Sequence, residues 1–464
     1  MKIVTRRASL GKQGLTRRSG QSTLASARVE QPTSTRCGTV MPEPGTALLK
    51  VENNMEKGNR RRRKVCFFGH FGSTNFGNEI TLQTILYHLR RLLDQSDTIC
   101  VCTYPDVLAA SQKIATVPIS RRIVRQWDAK NPITKLLWKV FIGIPGEVYR
   151  WFDAFKMLKG SHIFIIPGTG LLTDAFGLRQ WGPYNLFKWT AMAKLRRCKV
   201  FFVSVGAGPI YGMLGRYFVK SALSLADFRS YRDDASMNYL KKIGFPTNSD
   251  RVYPDLAFSL PQAMIPDHGT KQGKRPVVGI GLMEYAGKYS VEKPTKAIYL
   301  AYLENSVVFV KWLLSQKYDV RLLIGDTWDV AVKRDFRSLL QAQGGTCNDE
   351  RVIDEPAASV EQLLSHLAAT DIVVATRFHN VLLALLLNKP VISISFHHKC
   401  ASLMEEMGLS EYCHDINHMN AGRLIEQFEK LERNAENVKA LIRQRVEQSR
   451  KALDEQYSLI FKDI

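Results

Sequence analysis

Val65-Cys66-Phe67-Phe68 is a short apolar run. It is followed by the glycine-rich segment Gly69-His70-Phe71-Gly72-Ser73-Thr74-Asn75-Phe76-Gly77-Asn78-Glu79, an amphipathic stretch to Leu93, and the apolar run Thr98-Ile99-Cys100-Val101-Cys102-Thr103. Short β-branched and aromatic runs bounded by glycine read as buried strands, and apolar residues at helical spacing read as a helix packed on them. Strand, loop, helix and strand in that order make a βαβ unit. Three more strand-like runs begin at His162, Val200 and Phe228, with helical stretches over 184–197 and 211–226 between them. The unit therefore extends into a doubly wound parallel sheet.

A second α/β run starts at Val277, beyond the Pro-, Gly- and Lys-bearing segment 261–276. It continues with a helix over 297–316, a strand from Asp319, a helix near 360–367, a strand at Ile372 and another from Val391. The expected fold class is α/β: two Rossmann-like doubly wound domains facing a cleft, the GT-B-like arrangement. The expected divisions are a basic disordered segment (1–62), a first domain on the acceptor side (63–262), a second domain on the donor side (275–420) and a C-terminal helical tail (421–464).

The chain has 464 residues, 45% hydrophobic and 23% charged, with a formal net charge of +22. Up to Lys64 there are fifteen Lys/Arg against four Asp/Glu, a net of +11, so the other 400 residues carry the remaining +11. The globular part is moderately basic, which suits anionic substrates or anionic surfaces. Zinc-ligand spacing, a helix-turn-helix and an RNP-type motif are all missing from the sequence, so no nucleic-acid partner is expected. The eight cysteines are scattered, without C-x-x-C spacing, as in a reducing compartment. Without a secretory h-region or an apolar run near eighteen residues, the expected location is cytoplasmic, at the inner face of a membrane if one is touched.

Residues 118–160 interrupt the first domain. They interleave Trp127, Trp138, Phe141, Trp151, Phe152 and Phe155 with arginines and lysines. Two readings stand side by side: an interfacial helix on an anionic membrane, with Lys135, Trp138, Lys139 and Phe141 at the surface, or an ordinary insertion packing its aromatics on the sheet.

The chemistry-bearing residues fall at strand ends. Arg377 and His379, in Ala375-Thr376-Arg377-Phe378-His379-Asn380, sit between a buried strand and a buried helix, where an anion meets free N–H groups, a cation and a titratable ring. Gly69–Gly77, Pro167-Gly168-Thr169-Gly170-Leu171-Leu172-Thr173-Asp174 and Ser204–Pro209 each follow a strand, which puts glycine-rich loops along one sheet edge. None is a dinucleotide or Walker fingerprint. Arg232 ends another strand, with Asp233 or Asp234 as helix cap, and Lys399 follows the Val391 strand. Each has an ordinary alternative in a surface ion pair or a solvated charge.

Taken in order, these pieces resemble the polysaccharide pyruvyl transferase family from about Val65 to Leu409. The loop ends Asn75-Phe76-Gly77-Asn78-Glu79, then come Gly168-Thr169-Gly170-Leu171-Leu172, Gly206-Ala207-Gly208-Pro209, Arg232-Asp233, Pro254-Asp255, Arg377-Phe378-His379 and Lys399. Asn78 stands where the family has Asp, and Pro167-Gly168-Thr169 replaces part of a glycine run. The resemblance implies pyruvyl transfer from phosphoenolpyruvate to a sugar as a ketal, with release of phosphate. It implies no metal or cofactor beyond the donor itself. His379 and Asp174 are the expected catalytic groups, and Arg232, Arg377 and Lys399 the donor-binding cations. Gly72, Asn75, Gly77, Glu79, Gly168 and Gly170 are expected on the acceptor side, the acceptor being a sugar, lipid-linked ones included. The competing enzyme reading is a nucleotide-sugar glycosyltransferase with Glu405-Glu406 at its donor pocket. The competing reading of another class is a non-catalytic membrane-surface module.

Overall fold

A computed structural model describes residues 64–73, 75–91, 98–121, 131, 139–174, 182–266, 275–285, 296–344 and 350–462. The expected disordered segment 1–62 and much of the insertion, including Trp127, Lys135 and Trp138, lie outside the described residues.

The first domain runs β1 (Lys64–Gly69), α1 (Phe76–Arg90), β2 (Thr98–Cys102), α2 (Pro105–Gln112), β3 (Ala115–Pro118), α3 (Ile144–Met157), β4 (Ser161–Pro167), α4 (Gly182–Leu195), β5 (Lys199–Val205), α5 (Met213–Ser224), β6 (Phe228–Tyr231), α6 (Asp234–Lys242) and β7 (Arg251–Val252). The second runs β8 (Val277–Gly281), α7 (Lys296–Ser315), β9 (Asp319–Leu323), α8 (Val330–Ala342), β10 (Val352–Ile353), α9 (Val360–Ala368), β11 (Ile372–Ala375), α10 (Phe378–Leu386), β12 (Val391–Ser395), α11 (His398–Glu406) and β13 (Cys413–Asp415). Two further helices follow, α12 (Ala421–Arg433) and α13 (Ala435–Phe461), separated at Asn434.

Both sheets are parallel. Their strand orders are β3-β2-β1-β4-β5-β6-β7 and β10-β9-β8-β11-β12-β13. The order reverses between β1 and β4 in the first and between β8 and β11 in the second. At such a switch point the loops leaving the carboxyl ends of the strands diverge and open a crevice. The loops after β1, β4 and β11 are therefore the ones placed to hold a ligand. The doubly wound fold class is as the sequence predicts; the short strands β3, β7 and β10 and the helices α2, α8 and α11 were not. Strands of two to four residues leave too little periodicity to read.

Successive residues of β1 enter different cores. Val65 and Phe67 face one cluster, which runs on through the second sheet, and Cys66 and Phe68 face another beneath α3, α4 and α5. A parallel sheet covered on both faces needs this two-sided apolarity. In the second domain α7 is long and apolar enough to span a bilayer by composition, yet Tyr302, Val307 and Leu313 are buried in the core. The tail crosses back to the first domain: the buried Gln456 on α13 bonds Ser204 at 2.8 Å, and Tyr457 bonds Ser259 and stacks on His88.

Candidate active site

A cavity of about 380 Å³ opens between the carboxyl edges of the two sheets. Its walls come from both domains: His70, Asn75, Thr169 and Arg232 from the first, Arg377, His379 and Lys399 from the second. The edges are tied at one end, where the Asn75 amide donates to Asp326 at 3.2 Å and the Phe76 N–H to the Gly325 carbonyl at 3.3 Å. A larger hollow of about 600 Å³ near β10 is also basic, but its Lys333 and Arg337 are both paired with Asp354.

The three expected cations line the same cavity, each held differently. Arg232 is 5% exposed, with its Nε on Asp233 at 3.2 Å, its Nη1 3.5 Å from Asp255 and its guanidinium 4.9 Å over the Phe378 ring. Its remaining nitrogen, Nη2, has no hydrogen-bond partner. Asp233 is also the cap of α6, accepting from the Ser236 N–H at 2.6 Å. Arg377 is clamped bidentately by the fully buried Asp329, at 2.8 and 2.6 Å, which fixes the plane of its guanidinium. Lys399 lies in the first turn of α11. Among the described residues its ammonium makes no hydrogen bond or ion pair. Burial, with Arg232 adding to it, pushes the Lys399 amine down to about 8.

His379 stands in the first turn of α10 beneath α1. Its Nε2 is buried without a partner. Burial pushes its imidazole down to about 4, with the cations Arg232, Lys399 and Arg377 adding to it against a pull upward from Asp255. A donor matched to neutral pH in the empty site, as the sequence suggests, is therefore not what this environment makes. The empty cleft holds a neutral ring surrounded by positive charge.

Glycine is required where the loops touch these groups. A Cβ at Gly77 would collide with the His379 ring, and one at Gly206 would stand 2.5 Å from Arg232 Nη2. Gly170 lines the cavity beside Lys399.

Other expected site residues turn elsewhere. Both Asp174 oxygens accept backbone N–H groups, from Tyr211 and Gly212 at 2.8 Å, so the carboxylate shapes the turn before α5 and is absent from the cavity wall. Glu79 accepts from the Ser73 N–H at 3.0 Å and braces its own loop, with burial pushing it up to about 7. Gly72, at φ +72°, packs on the Tyr104 carbonyl, and Gly168 on the Ser204 carbonyl, neither on the cavity. Asn75 does line the cavity, while its side-chain oxygen caps α1 through the Asn78 N–H. Glu405 and Glu406 are exposed at the far end of α11, away from the cavity.

Four residues of the site were not expected from the sequence. Asp329 reaches Arg377 from another strand end. His70 bonds Thr103 at 2.9 Å on the first-domain wall, and His397 caps α11. Trp328 is 66% exposed at the cavity lip. His70 was legible as a ring next to Gly69 at a strand end; the other three were not. Among the described residues no cluster of His, Cys, Asp and Glu side chains has the grouping to hold a metal ion.

A family model described as polysaccharide pyruvyl transferase matches residues 75–398. The amylovoran biosynthesis protein AmsJ of Erwinia amylovora is 20% identical over 317 residues, 67% of this chain and 74% of its own. Among solved structures, UDP-GlcNAc 2-epimerase from Methanocaldococcus jannaschii superposes with a TM-score of 0.53 at 11% identity, covering 79% of this chain and 92% of its own. HepE of Anabaena, solved with UDP and glucose, gives 0.51 at 12% identity, covering 85% and 99%. These two likenesses show the fold, which is GT-B. The chain belongs to the polysaccharide pyruvyl transferase family, transferases of polysaccharide biosynthesis.

Proposed function

We propose that, as a member of this family, the protein moves the pyruvyl group of phosphoenolpyruvate onto two hydroxyls of a sugar, forming a ketal and releasing phosphate. One observation carries this reading: three nitrogens without partners among the described residues, Arg232 Nη2, Lys399 Nζ and His379 Nε2, belong to residues lining one cavity. Buried donors left unpaired are costly, and a ligand rich in oxygen anions satisfies them. Phosphoenolpyruvate brings a phosphate and a carboxylate on adjacent atoms, which suits a fixed guanidinium near an unpaired ammonium.

The charges of the donor reverse the field on His379. Burial still depresses the ring, but the cations that add to it are then neutralised and the donor's own charges favour the imidazolium. It passes its proton to the methylene carbon, the C=C bond becomes a methyl group, and the adjoining carbon takes up the positive charge. One sugar hydroxyl adds there and its proton restores the imidazolium. The carbon–oxygen bond to phosphate then breaks, the second hydroxyl closes the ring, and its proton leaves with the phosphate. The acceptor lies over the first-domain wall, between His70 and Thr169, with Trp328 offering an apolar face to a sugar ring. The scheme uses no cofactor besides the donor. Cytoplasmic residence agrees with six described cysteines that are all free thiols.

The test is phosphate release from phosphoenolpyruvate against a panel of lipid-linked and nucleotide-linked sugars, with the product checked for a carboxyethylidene ketal. Release that depends on one acceptor class is expected. No release with any acceptor, together with no calorimetric binding of phosphoenolpyruvate, overturns the reading.

A further inference from the structure

The outer face of the first domain carries exposed apolar side chains. On α3 and the turn before it (Lys139–Gly143), Phe141, Ile144, Val148 and Phe152 are 71%, 61%, 64% and 63% exposed. Their spacing of three and four residues sets them in one stripe along the helix. The adjoining side of the same helix is apolar too, for Ala154 is buried and Trp151 and Phe155 pack on the second core cluster. The apolar surface of this helix is wider than the part packed on the core, which leaves a second neighbour to meet. Single exposed hydrophobics are ordinary, but a stripe is not.

Exposed apolar residues recur on α5. Met213 and Leu214, in its first turn, are 85% and 62% exposed. The two helices are joined through α4, where Trp151, Tyr184 and Phe218 form a chain of ring contacts. The turn into α5 begins at the cleft rim, since Gly208 and Pro209 line the cavity and Asp174 pins the Tyr211 and Gly212 N–H groups. Exposed apolar residues thus lie both on α3 and at the turn that leads to the cavity rim.

The sequence segment that holds α3 is basic. Residues 118–160 hold nine Lys/Arg and three Asp/Glu, a net of +6. The acids described there are spent inside the fold: Glu147 holds the buried Lys188 and Arg150, and Asp153 holds Arg121. Lys156, Lys159 and Arg216 are exposed, and among the described residues none is ion-paired. A second copy docked face to face about a two-fold axis would oppose these cations to themselves.

We propose that α3 and the first turn of α5 dock on an anionic lipid bilayer, with the apolar stripe in the interface and the flanking cations on headgroup phosphates. The surface combines the two contributions that peripheral binding needs, buried apolar area and basic charge. Each of the two readings of the basic aromatic insertion thus has its residues: Phe141 is outward, and Trp151 and Phe155 belong to the packed layer.

The test is co-sedimentation of the full-length protein with phosphatidylcholine vesicles, with and without about 30% phosphatidylglycerol. Binding to the anionic vesicles only is expected, falling as salt rises from about 50 mM to about 500 mM. The triple variant Phe141→Ser, Val148→Ser, Phe152→Ser should bind at least tenfold more weakly. Lys156→Glu with Lys159→Glu should lose roughly fivefold per charge. Thermal melts equal to wild type show that the exposed substitutions leave the fold intact. Three outcomes overturn the proposal: no preference for anionic vesicles, binding that the triple variant retains (the mark of the basic N-terminal segment alone), or a triple variant that instead abolishes self-association or capture of an acidic protein partner.

Discussion

The His379 ring fills the space that a side chain at Gly77 would need, so the catalytic candidate of the second domain rests directly on the backbone of α1 in the first. The contact makes the position of His379 depend on how the two domains meet.

Gly77→Ala should therefore act as a wedge. The added methyl displaces the imidazole or opens the cleft, and kcat should fall by roughly 10²–10⁴ if His379 is the proton donor. Melting temperature should move far less. Steady-state kinetics beside a thermal melt decides it. Turnover near wild type would mean that the ring has room to move without consequence.

Lys399→Met should trade binding for stability. Removing an unpaired, largely enclosed ammonium takes away a desolvation cost, while the donor loses a charged contact worth about 1.5–3 kcal/mol, or roughly 10- to 100-fold in its KM. The gain has a pH signature. The folded-state pKa, about 8, lies below the ordinary 10.5, so the folded chain binds fewer protons than the unfolded chain between those values. The destabilisation by Lys399 is full below about pH 8 and fades as pH rises toward 10.5. Urea titrations of both proteins at neutral and alkaline pH should show the gap closing. A gap that is constant with pH would mean the amine is not depressed.

The His379 titration should differ between free and occupied enzyme. In the empty site the ring is depressed to about 4. With the donor bound, the proton-donating form should persist to near neutral pH, so kcat should fall as pH rises through a value well above 4. This limb should vanish in His379→Gln. If it vanishes in Lys399→Arg and survives in His379→Gln, the proton donor is the amine.

Asp174→Asn should weaken the fold by about 1–2 kcal/mol, because an amide oxygen can replace one of its two backbone contacts but not both. Activity per folded molecule should stay within a few-fold of wild type. A loss of 10²–10⁴ in kcat would return Asp174 to the chemistry.

Much of the fold is written locally. Strand, glycine loop and helix recur in order, and apolar periodicity reports which faces are buried, so two parallel sheets with their loops on one edge follow from the sequence. The same logic places Arg232, Arg377, His379 and Lys399 at strand ends, and all four line the cavity. Periodicity does not say which polar groups will pair, because ion pairs and hydrogen bonds form between residues that only the folded chain brings together. Tertiary structure alone decided that Asp329 clamps Arg377 from 48 positions away, that Asp174 and Glu79 spend their oxygens on nearby backbone, and that Arg232, Lys399 and His379 keep nitrogens unspent. Burial by both domains, which no single segment encodes, sets the His379 and Lys399 pKa values.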